Sequence, residues 1–511
     1  MLKQLLLAVC LLGNTATAMH VDTAWVRSFG DVAPDILMDL AVDAAGATYV
    51  TGYVWGSGGS FDDIATIKYL PSGDTAWARI YNGPANGFDR GNGVAVDQWG
   101  NVYVCGMSDT TNNIADWVVL KYLVDGQLAW RSRIGGYNLR EEALNIAVDD
   151  SGYIYVTGMK LTVAAGYDFL TVKYSPAGGI IWQDQYDGEA HGSEYPHDLV
   201  IGKSGEIVVC GQEASASGPI FTAIKYANTG LRDWVRSYDS PEPIDICLRT
   251  GVDSAGNVYV CGYNQPSSGI QVGITTIKYS PDGDTLWTSV YDDPFGAEDF
   301  VTDMVVDPVG HAYVVGNTNG GFLGQQFTVI KYQPDGDTAW VRAFPGAQTQ
   351  GSDARAVSVD AAGNVYATGY INTPTPNNLD LLVVSLRDDG VTRWQKEISS
   401  PGAEGDVGSV IAVDAVGNIL VGGTFDGGVS TYEDYLVAKF VQYECGDADG
   451  SGMVTISDAV YLINYIFAGG PAPNPLLSGD VDCTGAVSIS DAVYLINYIF
   501  AGGPAPCAAC P

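Results

Sequence analysis

A tryptophan returns eight times along the chain, as Trp25, Trp77, Trp130, Trp182, Trp234, Trp287, Trp340 and Trp394, at steps of 52 to 54 residues. A fixed period of this length marks a stacked or radial array of one supersecondary unit. Each unit reads in the same order: a strand such as TAWVRSF, a loop, a strand such as GVAVD, a turn such as DQWGN, a strand such as NVYVCG, a second loop, a strand such as TIKY and a turn such as PDGD. Four short strands in roughly 50 residues is the arithmetic of a propeller blade, whereas the coils of a β-solenoid are much shorter. The 64 glycines supply the positive φ that tight hairpins need. The expectation is an all-β, eight-bladed propeller of four-stranded antiparallel blades.

The Ala-Val-Asp-x-x-Gly-Asn-Val-Tyr-Val core of these units resembles the β-propeller repeats of secreted bacterial proteins, over Thr23 to about Phe440. That resemblance implies that the GVAVD strand is innermost and the Trp strand outermost. The array then begins with an outermost strand, Thr23 to Phe29, and ends on a third strand, Tyr435 to Phe440. Each supplies what the other lacks, so the N-terminal strand is expected to complete the last blade and close the ring. The recurring Gly-Asp-Thr-x-Trp, as at Gly73 to Trp77, also resembles the tryptophan-docking motif of pyrroloquinoline quinone dehydrogenases. Those enzymes use two adjacent cysteines, and no Cys-Cys occurs here, so the likeness is one of architecture.

The first eighteen residues, MLKQLLLAVCLLGNTATA, carry one lysine, an apolar run and an Ala-x-Ala end, the pattern of a secretory signal cleaved after Ala18. The run is too short to span a bilayer, and no transmembrane segment is expected elsewhere. The expected domains are thus a signal at 1–18, a propeller at 19–441 and a tail at 445–511. A net charge of −35, one unit more negative without Lys3, disfavours nucleic acid and suits divalent cations or basic partners. An exported chain is free to form disulfides. Cys445, Cys483, Cys507 and Cys510 in the tail allow three pairings, while Cys105, Cys210 and Cys261 read as small buried side chains, with Cys247 able to reach Cys261 across a hairpin as the alternative.

In the propeller, the Asp-x-x-Gly-Asn and Pro-Asp-Gly-Asp turns share one face and the longer, variable loops, such as VWGSGGSFDD, DGEAHGSEYPHD and NTNGGFLGQQF, share the other. Binding of a glycan or protein ligand is expected on that variable face. An acid stands eight residues before the end of the innermost strand in seven blades, as Asp35, Asp89, Glu141, Glu194, Asp245, Asp299 and Asp406, with Asp353 displaced by one. These acids form either a ring that takes a cation or basic partner, or caps that each serve their own loop. Third-strand lysines, Lys68, Lys121, Lys173, Lys225, Lys278, Lys331 and Lys439, are expected to pair with the Asp ending an innermost strand or with a ring acid. His191, Glu194 and His197 have the side chains of a transition-metal site but no motif spacing. No catalytic centre is apparent in the sequence.

The tail repeats DAVYLINYIFAGGPAP at Asp458 and at Asp491, each time after a twelve-residue loop. Asp447, Asp449, Ser451, the Met453 carbonyl, Thr455 and Asp458 stand at positions 1, 3, 5, 7, 9 and 12 of the first loop. Asp480, Asp482, Thr484, the Ala486 carbonyl, Ser488 and Asp491 repeat them in the second. Oxygen donors at these positions, with Gly452 and Gly485 at position 6, make an EF-hand-like calcium loop, and two calcium ions are expected. Asp rather than Glu at position 12 points to modest affinity, with Kd about 10⁻⁶ to 10⁻³ M. A helix follows each loop, with Ser457 or Asp458 as cap, Val460, Leu462, Ile463, Ile466 and Phe467 as apolar face, and Gly469-Gly470-Pro471 as stop.

One loop and one helix, twice, resembles a type I dockerin over Cys445 to Pro506. The resemblance implies a cohesin-like protein or cell-surface scaffold as partner, and places the contacts at Ile456, Ser457, Ile463 and Asn464, then at Ile489, Ser490, Ile496 and Asn497. The alternative is a calcium-stabilised cap without a partner. Two functions follow: a secreted, non-catalytic binding protein attached through its tail, or an extracellular polysaccharide-degrading enzyme of a cellulosome-like complex.

Overall fold

The computed structural model describes residues 19–507 except 31–33, 57–60, 112–113, 136–139, 163–165, 266–272, 294–298, 322–323, 347–350, 374–378, 401–404, 427–432 and 452. The leader expected at 1–18, Gly452, Cys510 and parts of the variable loops lie outside the described residues. Two compact units result: Thr23–Phe440, and a second that gathers Val441–Pro511 with the residues up to Asp22.

Alternating Val, Ile, Tyr and Thr form strands because branched and aromatic side chains pack well on a pleated surface. The larger unit holds eight four-stranded antiparallel sheets. Blade 1 runs Ile36–Val42, Thr48–Trp55, Asp62–Tyr69 and Thr75–Tyr81. Blades 2 to 7 repeat that order. Blade 8 takes Val407–Val413, Ile419–Asp426 and Glu433–Glu444 from the end of the array and Met19–Phe29 as its outermost strand. The ring is therefore closed by the N-terminal strand, and neither end of the array is left as an open edge. First strands of all eight blades line a central channel of about 550 Å³. They are innermost.

At seven of the eight seams between blades the periodic tryptophan bonds the next blade. The indole Nε1 of Trp77 donates to the Val124 carbonyl in the third-to-fourth-strand turn of the next blade, at 3.1 Å, and Trp130, Trp182, Trp234, Trp287 and Trp340 repeat the bond at 2.9 to 3.1 Å. Trp25 makes it to Pro71 at 3.0 Å, which joins blade 8 to blade 1. The turn glycine meets the ring face: a Cβ on Gly73, whose φ is +85°, would stand 2.6 Å from Trp25. The residue two after the Trp adds a second bond where it is Arg, as Arg27 Nε to the Gly73 carbonyl at 2.7 Å.

The lysines differ from expectation. Lys278 and Lys439 reach the Asp that ends an innermost strand, Asp253 at 3.7 Å and Asp414 at 3.3 Å. Lys331 instead pairs with Asp388 in the next blade's turn. Lys121 and Lys225 donate to the carbonyls of Pro176 and Pro281, at 3.0 Å each. Lys68 and Lys121 lie over the rings of Tyr49 and Tyr103. The acceptor nearest the ammonium is the turn carbonyl that already receives the indole, which is why a carboxylate is not needed in every blade. Cys105, Cys210, Cys247 and Cys261 are all free and buried, so the expected Cys247–Cys261 bridge is not formed. Across the ladder Cys247 faces Gly262, and a bulge sets Arg249 opposite Cys261.

In the smaller unit, α1 (Ile456–Ala468) and α2 (Ile489–Ala501) follow the two acidic loops. Their caps are Thr455 and Ser488, not Ser457 or Asp458: each hydroxyl accepts from the second helical N–H, while Asp458 or Asp491 reaches back to complete a capping box. Gly469 and Gly502, at φ +71° and +67°, end the helices in the left-handed conformation. Ala459 and Leu462 of α1 meet Ala492 and Leu495 of α2 in a core with Ala448 and Val481. A disulfide joins Cys445 to Cys507. The helix face differs from expectation, since only Leu462 of the five expected residues is fully buried; Val460 and Phe467 are 59% and 68% exposed.

Candidate metal centres and docking surface

Each tail loop gathers its carboxylates. Oxygens of Asp447, Asp449 and Asp458 all lie within 4.8 Å of one another, as do those of Asp480, Asp482 and Asp491. The loop backbone holds them there. Asp447 and Asp449 accept from the Ser451 N–H at 2.9 and 3.0 Å, and Asp458 accepts from the N–H groups of Asp449 and Thr455 at 3.0 and 2.7 Å. In the second loop Asp480 accepts from Thr484 and Gly485, and Asp491 from Val481, Asp482 and Ser488. The Ser451 hydroxyl is 3.3 Å from the Met453 carbonyl, and the Thr484 hydroxyl 3.5 Å from that of Ala486. Positions 1, 3 and 12 thus converge in both loops, and in the first the position-5 hydroxyl of Ser451 lies 3.4 Å from Asp447.

The donors are all oxygen and their spread matches the shell of a hard ion with bonds of about 2.4 Å. The residues therefore fit calcium. The position-9 hydroxyls, Thr455 and Ser488, are engaged as helix caps and stand 3.4 and 3.3 Å from Asp458 and Asp491. Burial first, then the neighbouring acids, push the Asp458 and Asp491 carboxyls above the usual range. That repulsion is what a bound cation relieves.

The outer surfaces of α1 and α2 are apolar and exposed. Ile456, Ile463, Ile489 and Ile496 are 37 to 47% accessible, and Ser457, Asn464, Ser490 and Asn497 are exposed beside them. Val460, Phe467, Val493 and Phe500 extend each stripe. Sequence reasoning assigned Val460 and Phe467 to the core because periodicity does not say which of two apolar stripes on a short helix faces inward. Two copies of one helix, meeting through Ala and Leu, leave identical outer stripes.

The eight propeller acids are buried, Asp89, Glu141, Glu194, Asp245 and Asp299 completely. Their bonds are those of latches. Asp89, Asp299 and Asp406 each accept from the N–H six residues before, in Gly83, Asp293 and Ser400, at 2.6, 2.8 and 2.5 Å. Asp35 and Asp299 also accept from the N–H twenty residues after, in Trp55 and Asn319. Asp245 accepts from Ser240 and Asn264. Asp245 and Asp299 so tie the loop entering the blade to the end of that blade's second strand. Asp353 does not take part: Ser352 occupies the position, accepting from the Phe327 N–H at 3.0 Å, and Asp353 pairs with Arg355.

His191, Glu194 and His197 do not converge. His191 is exposed and bonds Asp187 at 2.7 Å, whereas His197 lines the channel, where burial lowers its pKa to about 4. The channel carries a polar belt that sequence reasoning missed. Asp39 accepts from Val94, Asp198 from Asn145 and Thr250, and Asp303 from Arg249 and Val357, each bond crossing to an adjacent blade. These residues occupy one register position at the first-strand bulge, but their identity changes from blade to blade, so no period betrays them.

Two family profiles match the chain: Dockerin type I domain at residues 445–500 and Beta-propeller repeat at residues 296–322. No curated protein matches. Among solved structures, Sqt1 from Chaetomium thermophilum has a TM-score of 0.51 at 10% identity, over 84% of this chain and 99% of that one. The polysaccharide lyase Uly1 has 0.42 at 10%, over 71% and 91%, and the propeller domain of the Trilobed protease from Pyrococcus furiosus 0.40 at 10%, over 71% and 97%. These likenesses are of fold. Dockerin type I domains bind calcium, in keeping with the paired acidic loops. The chain is an eight-bladed β-propeller with a match to this repeat at 296–322, followed by a unit whose residues 445–500 match a dockerin type I domain.

Proposed function

We propose that this is a secreted, non-catalytic binding protein whose tail, loaded with two calcium ions, attaches it to a cohesin-like module on a partner protein or cell-surface scaffold. The observation that carries the reading is the pair of identical apolar stripes, Ile456, Val460, Ile463 and Phe467 on one helix and Ile489, Val493, Ile496 and Phe500 on the other, exposed on a unit that buries only Asp458, Ala459 and Leu462 of the first helix and Asp491, Ala492 and Leu495 of the second. An apolar stripe of this kind is the part of a surface that association covers. Asp447, Asp449, Ser451, Met453, Thr455 and Asp458, with Asp480, Asp482, Thr484, Ala486, Ser488 and Asp491, are the ligands in this reading. Calcium is needed because it draws the loop carboxylates together and so orients the helix that begins at each loop's end.

Because the two stripes are the same, one cohesin-like surface can be met by either helix. The propeller's variable-loop face is the part left to engage a glycan or a protein. Among the described residues no helix is long and apolar enough to cross a membrane. The test is capture of the full chain by a panel of immobilised cohesin modules, in calcium and in chelator, with Phe467→Ser/Phe500→Ser as control. Capture in calcium that is lost in chelator and in the variant supports the reading; no capture, or capture indifferent to both, removes it. Turnover of a polysaccharide by the purified chain would move the propeller to the enzymatic alternative.

A further inference from the structure

The structure assigns a third divalent-cation site, in the propeller, to Asp168, Asp187 and Glu194 at the seam between blades 3 and 4. Oxygens of these three carboxylates lie within 4.8 Å of one another. Asp168 and Glu194 are 1% and 0% exposed, so their charges are out of water. Asp168 Oδ1 and Glu194 Oε2 are both buried with no hydrogen-bond donor in reach. Their other oxygens are engaged, Asp168 Oδ2 by the Gln185 amide and Glu194 Oε1 by the Ala214 N–H at 3.5 Å. Two buried, orphaned carboxylate oxygens beside a third carboxylate need a proton or a compensating positive charge, and a cation neutralises all three at once.

The neighbouring seam shows how the protein supplies that charge elsewhere. Asp116, at the same place in blade 2 as Asp168 in blade 3, has Arg133 at 3.7 Å. Three residues after its Trp, blade 3 has Gln185 where blade 2 has Arg133, and Gln185 brings an amide but no charge. Two other cations are near. Lys160 stands opposite Asp168 across the ladder, and His191 bonds Asp187 at 2.7 Å on the exposed side. Among the described ion pairs neither reaches Asp168 or Glu194.

The three oxygens are hard donors no more than 4.8 Å apart, close enough for one ion with calcium–oxygen bonds of about 2.4 Å to be shared among them. Calcium is therefore the ion of choice, with water completing its shell. Asp187, Gly188, Glu189 and Glu213 line a cavity of about 970 Å³ beside the cluster, which admits water and ion. A bound ion there would fasten the blade 4 entry loop, which Glu194 already latches, to the third strand of blade 3.

Calcium uptake by the tail has to be kept apart, so the test uses the full chain carrying Asp447→Ala/Asp480→Ala, which leaves the propeller residues untouched. Bound calcium is counted after equilibrium dialysis, and the propeller melting transition is followed in calcium and in chelator. The expected result is one ion per chain and a transition raised by calcium. Both effects are lost in Asp168→Asn/Glu194→Gln, whose transition in chelator is no lower than that of the parent because buried repulsion has been removed. Asp187→Asn, at a partly exposed position that does not threaten folding, is expected to weaken calcium binding at least tenfold. No bound ion in the tail-silenced chain, or an ion retained at unchanged affinity in Asp187→Asn, would overturn the assignment.

Discussion

The indole of a seam tryptophan such as Trp77 or Trp234 does two things at once: it packs against the next blade's turn and gives its only donor to that turn's carbonyl. Trp234→Phe keeps most of the area and loses the bond to Pro281, and is expected to cost about 1 kcal/mol, read as a shift of the denaturant midpoint. In the channel, burial pushes Asp39 up to about 7 and Asp198 to about 6. Both lie above the value near 3.9 of an exposed Asp. Between about pH 4 and pH 7 the folded chain therefore holds protons the unfolded chain has released, and the stability linked to these groups is full below that window and lost as pH rises through it. Melting in chelator from pH 5 to pH 8 should show this fall, and Asp39→Asn should flatten it; an unchanged slope would remove Asp39 as its source. The latch acids were legible in the sequence because their spacing repeats, and the displaced Asp353 was the one whose role Ser352 had taken. Asp39, Asp198 and Arg249 were not legible, since what they share is a place at a bulge and not a residue type.

Four strands and two tight turns per blade follow from local signals, alternation within strands and Asp-x-x-Gly-Asn or Pro-Asp-Gly-Asp between them, so blade architecture could be read from one unit and checked on the next. The helices of the tail were legible in extent but not in orientation. Their inner face is small, Ala459 with Leu462 and Ala492 with Leu495, and the larger side chains point outward. From this, Phe467→Ser/Phe500→Ser should change tail stability by less than about 0.5 kcal/mol, as exposed positions do, while Leu462→Ala/Leu495→Ala should cost several kcal/mol and unfold it. Circular dichroism at 222 nm on the two variants in calcium separates the faces; equal loss of helix in both would mean the outer stripe is core. The cap lies at Thr455 because the helix begins inside the loop, at Ile456, before the last ligand Asp458 is reached.

At the scale of the whole molecule, closure depends on a strand some 400 residues away in sequence from its partner. The seam it forms is built like the others, with Trp25 donating to Pro71 as Trp234 does to Pro281. Trp25→Ala and Trp234→Ala are therefore expected to cost similar amounts, about 3 to 5 kcal/mol each; a Trp25→Ala chain that melts like the parent would mean the ring is not latched by its first strand. Closure was legible because the array starts on a fourth strand and stops on a third, and counting strands is enough to see that one completes the other. Whether a surface is covered by a partner is a property of two molecules, which no single sequence prints. The proposed attachment runs through the calcium-loaded tail and its outer helix stripes. Calorimetric titration of the full chain with a cohesin module tests it most directly: binding in calcium that disappears in chelator and in Phe467→Ser/Phe500→Ser is predicted, and calcium uptake by the tail with no partner bound under any condition would contradict it.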